Sequence, residues 1–95
     1  MKLIDSIAYS DLKFSHKIYL KTEKFTIHLF AFMRGQSLSE HTADSNAFLT
    51  ILDGNAKIVI NGEEQVLGVN DTFVIPKNIP HSVHGIENFK MMLIK

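Results

Sequence analysis

Short runs of apolar and β-branched residues alternate with turn-forming dipeptides along most of the chain. The runs predict strands at residues 16–20, 25–33, 56–60, 63–67, 72–75 and 89–94. Two dipeptides, Asp53-Gly54 and Asn61-Gly62, predict two-residue hairpins, because such residue pairs adopt positive φ at low cost. A helical period covers no more than one turn, within residues 5–12. Strands of roughly 4–8 residues at this spacing are typical of a β-sandwich or barrel.

The strand predicted at residues 25–33 has two different faces, because successive side chains of a strand point in opposite directions. One face is entirely apolar and consists of Phe25, Ile27, Leu29, Ala31 and Met33. The other face carries Thr26, His28, Phe30 and Phe32. If this second face lines a pocket, His28 points into it. By the same parity, a pocket-facing Ala47 implies that Leu49 and Ile51 face the same way.

Charge and cysteine content exclude several classes of function. The 95 residues include 10 Lys and Arg, 10 Asp and Glu, and no Cys. This balance removes the electrostatic reason to expect nucleic acid or an anionic membrane as a partner. The absence of cysteine excludes a disulfide scaffold, a thiolate metal site and a cysteine nucleophile. Any chemistry must therefore come from the histidines and carboxylates.

The first residues do not predict a signal peptide, because Asp5 interrupts the apolar run almost at once. The longest apolar run, at residues 29–33, is far shorter than the ~20 residues of a membrane span. We therefore expect a cytoplasmic protein with no membrane partner.

Two blocks of the chain carry residues at characteristic spacings. In the first block, Gly35, His41 and Gly54 occur in order. In the second block, Pro76 is followed five residues later by His81. These blocks resemble the two conserved motifs of the cupin family, a Gly with His-x-His, Glu and Gly, and a Gly with Pro-x-Gly and His. Together with the strand pair between them, they cover about the central half of the chain.

The resemblance implies an all-β fold, the cupin-type jelly-roll barrel or double-stranded β-helix. It implies one domain over residues 1–95, with residues 1–24 as an N-terminal strand or arm and residues 25–95 as the barrel. Asn70 and Asn78 stand where the second motif has glycines. These replacements are mild, because asparagine tolerates the left-handed conformation better than most residues.

The departures in the first motif affect the metal-ligand set. Ala43 replaces the second histidine of that motif, and Ala47 replaces its glutamate. Of the four ligand positions implied by the resemblance, only His41 and His81 remain. Sites of three histidines, or of two histidines and a carboxylate, bind Fe, Mn, Ni or Zn. Two histidines alone predict a weak site at best.

Three hypotheses follow. The first is a small-molecule-binding cupin that holds a mostly apolar or carboxylate-bearing ligand at the barrel mouth. The predicted pocket residues are His41, His81, His28, Ala43, Ala47, Leu49 and Phe30. The second is a metal-dependent cupin enzyme of the dioxygenase or isomerase type, with His41 and His81 as ligands and His28, or Glu40 or Asp44 of the adjoining loop, as the third. The third is a structural or regulatory dimer without a ligand.

The remaining histidines have no predicted role. His84 differs in strand parity from His81 and is expected to face away from the pocket, and His16 is expected at the surface. A homodimer is expected, because a small barrel leaves apolar sheet surface and open edges uncovered. The segment from Leu3 to Leu20 is the predicted contact.

Overall fold

Nine strands and one short 3₁₀ turn make up the computed structural model, which describes residues 1–95. The 3₁₀ turn is Leu3–Asp5, and the strands are β1 Ser15–Lys21, β2 Thr26–Phe32, β3 Ser37–His41, β4 Ala47–Asp53, β5 Ala56–Ile60, β6 Glu63–Leu67, β7 Thr72–Ile75, β8 His81–Gly85 and β9 Phe89–Ile94. All strand pairs are antiparallel. They form a five-stranded sheet in the order β1-β2-β9-β4-β7 and a four-stranded sheet in the order β3-β8-β5-β6. The expectation of an all-β jelly-roll barrel is confirmed.

The core fills the space between the two sheets. Phe32 of β2 stacks on Phe89 of β9, with ring centroids 4.7 Å apart and ring planes within 4° of each other. Leu49, Ile51 and Ile58 are fully buried around them. Burial of such apolar surface is the main favourable contribution to the folding free energy of a small barrel.

The outer face of the five-stranded sheet is covered in part by the chain's first residues. Ile7 packs with Leu29 and Ala31 in a second, smaller cluster. Both faces of β2 are therefore used, as the alternation in residues 25–33 predicts. The arm is also tied down by hydrogen bonds, since the Lys90 Nζ donates to the Ile4 carbonyl at 2.7 Å.

Part of the segment predicted as a dimer contact packs within its own chain. Its first part, with Ile7, lies on the chain's own sheet. The Tyr9 hydroxyl donates a hydrogen bond to the Asp53 carboxylate at 3.0 Å, and partial burial of the ring, followed by this carboxylate, raises the pKa of Tyr9. β1 is hydrogen-bonded into the sheet as its edge strand.

The structure contains no helix with the length and apolar character needed to cross a membrane.

The two Asx-Gly dipeptides have different roles. At Asn61-Gly62 the hairpin prediction is confirmed, because β5 pairs directly with β6 and both residues have positive φ. At Asp53-Gly54 the prediction is wrong, because β4 belongs to the five-stranded sheet and β5 to the other. Gly54 has φ +71°, and a Cβ there would overlap the backbone carbonyl of Asn88. This glycine therefore permits a close crossing between the sheets.

The polar strand β3 was not predicted. Glu40, expected in a loop, lies in β3, which pairs with β8 at the edge of the four-stranded sheet. Only Leu38 of this strand is shielded from solvent to any extent. Its polar sequence therefore carries no alternating apolar signal, and main-chain pairing with β8 forms it.

The two asparagines at the motif's glycine positions both adopt the left-handed conformation. Asn70 has φ +71° and Asn78 has φ +64°. The Asn78 backbone N–H also donates to the Ala43 carbonyl at 2.7 Å, which links the two motif loops. The expectation that asparagine is tolerated at these positions is confirmed.

Candidate functional site

A cavity of about 190 Å³ opens between the two sheets. Six of the predicted pocket residues line it: His28, Phe30, His41, Ala43, Ala47 and His81. The other lining residues are His16, Leu38, Ile75, Val83, Met91, Leu93 and Lys95. Leu49, also predicted there, instead lies fully buried in the core. The parity argument gave its face correctly, since Ala47, Leu49 and Ile51 are all buried, but Leu49 does not line the cavity.

His41 and His81 form one pair of rings at this cavity. They occupy directly opposed positions at the ends of β3 and β8. Their ring centroids are 4.2 Å apart and the rings are tilted by 60°. His81 is buried, with 5% of its surface exposed, whereas His41 is exposed at the mouth. Strand pairing thus brings together two residues that lie 40 positions apart in the sequence.

The backbone fixes the tautomer of both rings. The His41 Nδ1 lies 2.8 Å from the Ser39 carbonyl oxygen, and the His81 Nδ1 lies 2.9 Å from the Ile79 carbonyl oxygen. A carbonyl oxygen can only accept, so each Nδ1 carries the proton and donates. In the neutral ring the Nε2 atom then has a free lone pair. The pair therefore offers two acceptors, or two metal-ligating nitrogens, side by side.

His16 and His28 form a second pair of rings at the same cavity. The His16 Nε2 lies 2.8 Å from the His28 Nδ1, and the stacked rings have centroids 5.0 Å apart. The ring of Phe30 lies 4.7 Å from that of His16. These residues project from β1 and β2 of the five-stranded sheet, whereas His41 and His81 belong to the four-stranded sheet.

The surroundings of the second pair favour the neutral form of both rings. Partial burial lowers the pKa of His16, with a smaller contribution from the charge of Lys95. Partial burial likewise lowers the pKa of His28, followed by the neighbouring His16 and Lys95. The hydrogen bond between the two rings opposes protonation of both at once, because it needs an N–H on one ring and a lone pair on the other.

Sequence reasoning missed the role of His16. The residue is solvent-exposed, as expected, but it also lines the cavity. The available signal was the pair of adjacent predicted strands at residues 16–20 and 25–33. An antiparallel pairing of these strands through their short connection brings His16 and His28 to one face. His84 does not line the cavity, and its Nε2 lies 2.8 Å from the Ser82 hydroxyl.

Comparison with known proteins assigns the family. The family model for the cupin domain matches residues 28–95, more than two thirds of the chain, and includes all four positions of the ligand set. The chain belongs to the cupin family. No curated protein matches it.

Several solved cupin structures are similar to this one. A cupin 2 conserved barrel domain protein from Leptotrichia buccalis is 33% identical over 99% of this chain, with a TM-score of 0.93, and the chain spans 46% of that protein's length. A cupin superfamily protein from Desulfitobacterium hafniense is 26% identical, with a TM-score of 0.88 and coverage of 94% and 82% of the two chains. A conserved protein of unknown function from Streptococcus pyogenes is 28% identical, with a TM-score of 0.82 and coverage of 90% and 75%.

The residues of this cupin do not form the three-ligand metal site that the family resemblance implies. Ala43 and Ala47 line the cavity where the other two ligands would stand, and their side chains have no donor atoms. Nowhere in the chain do three His, Asp or Glu side chains converge closely enough to hold a metal ion. His28, the predicted third ligand, is hydrogen-bonded to His16 instead. His41 and His81 therefore stand as a pair.

Proposed function

We propose that this cupin binds a small organic molecule with an apolar body and a hydrogen-bond donor, without a metal ion. The observation that supports this most directly is the pair of Nδ1–carbonyl hydrogen bonds at His41 and His81. They leave two Nε2 lone pairs free to accept from a hydroxyl or amino group of a ligand.

The size and lining of the cavity fit such a molecule. Eight of its 13 lining residues are hydrophobic, and the volume is about 190 Å³. An engineered apolar cavity of ~150 Å³ in another protein binds benzene, so a ligand built on a single ring fits here. Ligand sites in general combine apolar walls with a few convergent polar groups. His41 and His81 are such groups.

A comparison of phenol with toluene tests the proposal. The two rings differ only in whether they carry a hydroxyl or a methyl group. Phenol is expected to bind about 2- to 10-fold more tightly, because one additional hydrogen bond typically contributes ~0.5–1.5 kcal/mol. Binding is measured by NMR of ¹⁵N-labelled histidine, in which phenol should shift the Nε2 resonances of His41 and His81.

Ala43→Phe provides the variant that fills the cavity, because Ala43 lines it without belonging to the buried core. It is expected to abolish phenol binding. Ala8→Phe is the matched control, since Ala8 is exposed on the N-terminal arm outside the cavity. Equal affinity for phenol and toluene, or phenol binding that survives Ala43→Phe, would contradict the proposal.

A second candidate, a metal-dependent cupin enzyme, is favoured by one specific observation. Metal-ligating histidines usually donate their other ring N–H to a carbonyl or carboxylate, as His41 and His81 do here. The test is the metal content of protein purified without a histidine tag or chelator. Near-stoichiometric Fe, Mn, Ni or Zn, lost in the His41→Ala/His81→Ala variant, would support this candidate over the first.

We also propose that the protein acts as a cytoplasmic homodimer. β1 is an edge strand, and its side chains Ile18, Tyr19 and Leu20 are 51%, 42% and 45% exposed. Exposed apolar edge strands favour pairing with another chain. Light scattering at micromolar concentration should give twice the 10.8 kDa mass of one chain, and a monomeric mass would contradict the dimer.

A further inference from the structure

We propose that His16, His28 and Lys95 form an anion subsite in the cavity, opposite His41 and His81, so that the ligand of this cupin carries a carboxylate. The inference rests on the proposed function and adds the chemical class of the ligand. Three contributions from one side of the cavity support it: a hydrogen-bonded histidine pair, an unpaired cation and a fixed main-chain position.

Lys95 is held at the cavity by the backbone. The Thr26 N–H donates to the Lys95 carbonyl at 2.7 Å, and the Lys95 N–H donates to the Thr26 carbonyl at 3.1 Å. These two bonds place residue 95 beside the start of β2, the strand that carries His28. The ammonium group can therefore reach the histidine pair.

The Lys95 ammonium group forms no ion pair with an Asp or Glu side chain. The one ion pair of the structure joins Lys57 to Glu64. No Asp or Glu lines the cavity, and Lys95 is the only lysine or arginine that does. An ammonium group that lines the cavity and forms no ion pair attracts an anionic ligand to this side of it.

The histidine pair adds a neutral hydrogen-bond donor beside that cation. If the His16 Nε2 carries the shared proton, the neutral His28 has its own proton on Nε2. If the His28 Nδ1 carries it, the neutral His16 has its own proton on Nδ1. In either arrangement one unshared ring nitrogen is a donor and the other an acceptor. The subsite therefore combines an ammonium group with an imidazole N–H, and a carboxylate accepts from both.

The His16–His28 pair is expected to take up a proton when a carboxylate binds. The groups that face the pair are Lys95 on its own side of the cavity and His41 and His81 on the opposite side. The charge of Lys95 opposes protonation of both His16 and His28. A bound carboxylate offsets that charge and favours the protonated pair, so affinity should rise as the pH falls from 8 to 6.

The test compares 4-hydroxybenzoate with 4-hydroxybenzamide. Both carry a hydroxyl for His41 and His81, and they differ in the charge at the other end of the ring. The acid is expected to bind about 10-fold or more tightly, since hydrogen bonds to charged groups are stronger than neutral ones. Lys95→Met should remove this preference. Lys24→Met is the control, because Lys24 is an exposed lysine outside the cavity.

The outcomes separate this inference from the function on which it rests. If acid and amide bind equally and both shift the His41 and His81 resonances, the anion subsite is wrong and the proposed function stands. If neither compound shifts those resonances, both are wrong. A second measurement needs no variant: calorimetry in two buffers of different ionisation enthalpy should show proton uptake with the acid alone. Acid binding without proton uptake would contradict the predicted rise in affinity as the pH falls.

Discussion

The Nε2 atom of His16 lies 2.8 Å from the Nδ1 atom of His28, across two neighbouring strands at the edge of the five-stranded sheet. This bond keeps His28 away from a shared ligand set with His41 and His81. The cavity therefore has two histidine pairs on opposite sheets, each with a defined hydrogen-bond pattern. His41 and His81 each donate from Nδ1 to a backbone carbonyl. His16 and His28 are hydrogen-bonded to each other.

The first prediction concerns the tautomers of His41 and His81. At a pH where the rings are neutral, both are expected to carry the proton on Nδ1, because the Ser39 and Ile79 carbonyls accept from these atoms. Two-bond ¹H–¹⁵N correlation spectra distinguish the two ring nitrogens directly. Neutral rings protonated on Nε2 would contradict the proposed acceptor pair.

The second prediction concerns stability and pH. The pKa values of His16 and His28 are lowered in the folded protein, whereas in the unfolded chain they lie near 6.5. Below that pH the unfolded state binds more protons than the folded state, so the free energy of unfolding should decrease as the pH falls. Above it both states are neutral and the contribution is constant. Urea unfolding at several pH values between about 5 and 8 measures this.

The His16→Gln/His28→Gln variant separates this effect from the other titrating groups. Below pH 6.5, the free energy of unfolding of this variant should fall less steeply than that of the wild type. That pH is the reference pKa of both rings, from which folding lowers them. His84→Gln is the matched control for the loss of a histidine, because His84 lies outside the cavity. An unchanged slope in the double variant would refute the assignment.

The third prediction restores the family's ligand set. The variant Ala43→His/Ala47→Glu places donors at the two cavity positions that lack them. It is expected to bind Zn²⁺ or Mn²⁺ at least ~100-fold more tightly than the wild type, since direct ligands contribute more than the ~10–100-fold of outer-shell partners. Competition with a chromogenic chelator measures the affinity. If no affinity is gained, the motif alignment or the inward orientation of these residues is wrong.

The fourth prediction tests the corrected position of Leu49. Because this side chain is fully buried in the core, Leu49→Ala should lower the free energy of unfolding by about 2–5 kcal/mol. That is a large share of the ~5–15 kcal/mol typical of a domain. The neighbouring Phe48 points outward and is 40% exposed, so Phe48→Ala should cost much less. Equal losses in urea unfolding would contradict the assigned strand parity.

The sequence predicted the fold and six of the 13 residues that line the cavity, for identifiable reasons. Spaced motif residues located His41 and His81, and strand parity placed His28 and Phe30 on the face that lines the cavity. Asparagine's tolerance of positive φ explained the replaced glycines of the second motif. These inferences depend on local geometry, which the residue types themselves carry.

The remaining features depend on contacts between distant segments. Asp53-Gly54 has the local chemistry of a hairpin, yet β4 and β5 join different sheets because their apolar faces pack against each other. The polar strand β3 exists through its pairing with β8. The role of His16 depends on the pairing of β1 with β2. Strand partners are set by tertiary packing, so neither periodicity nor motif spacing reveals them.

The most direct test of metal-independent binding is a phenol titration of metal-free protein, followed through the ¹⁵N resonances of the histidine rings. The protein is stripped with a chelator, titrated, and titrated again after addition of Zn²⁺. We expect the Nε2 resonances of His41 and His81 to shift and saturate in the metal-free protein. Shifts that occur only after Zn²⁺ is added would contradict the account and assign the two histidines to a metal centre.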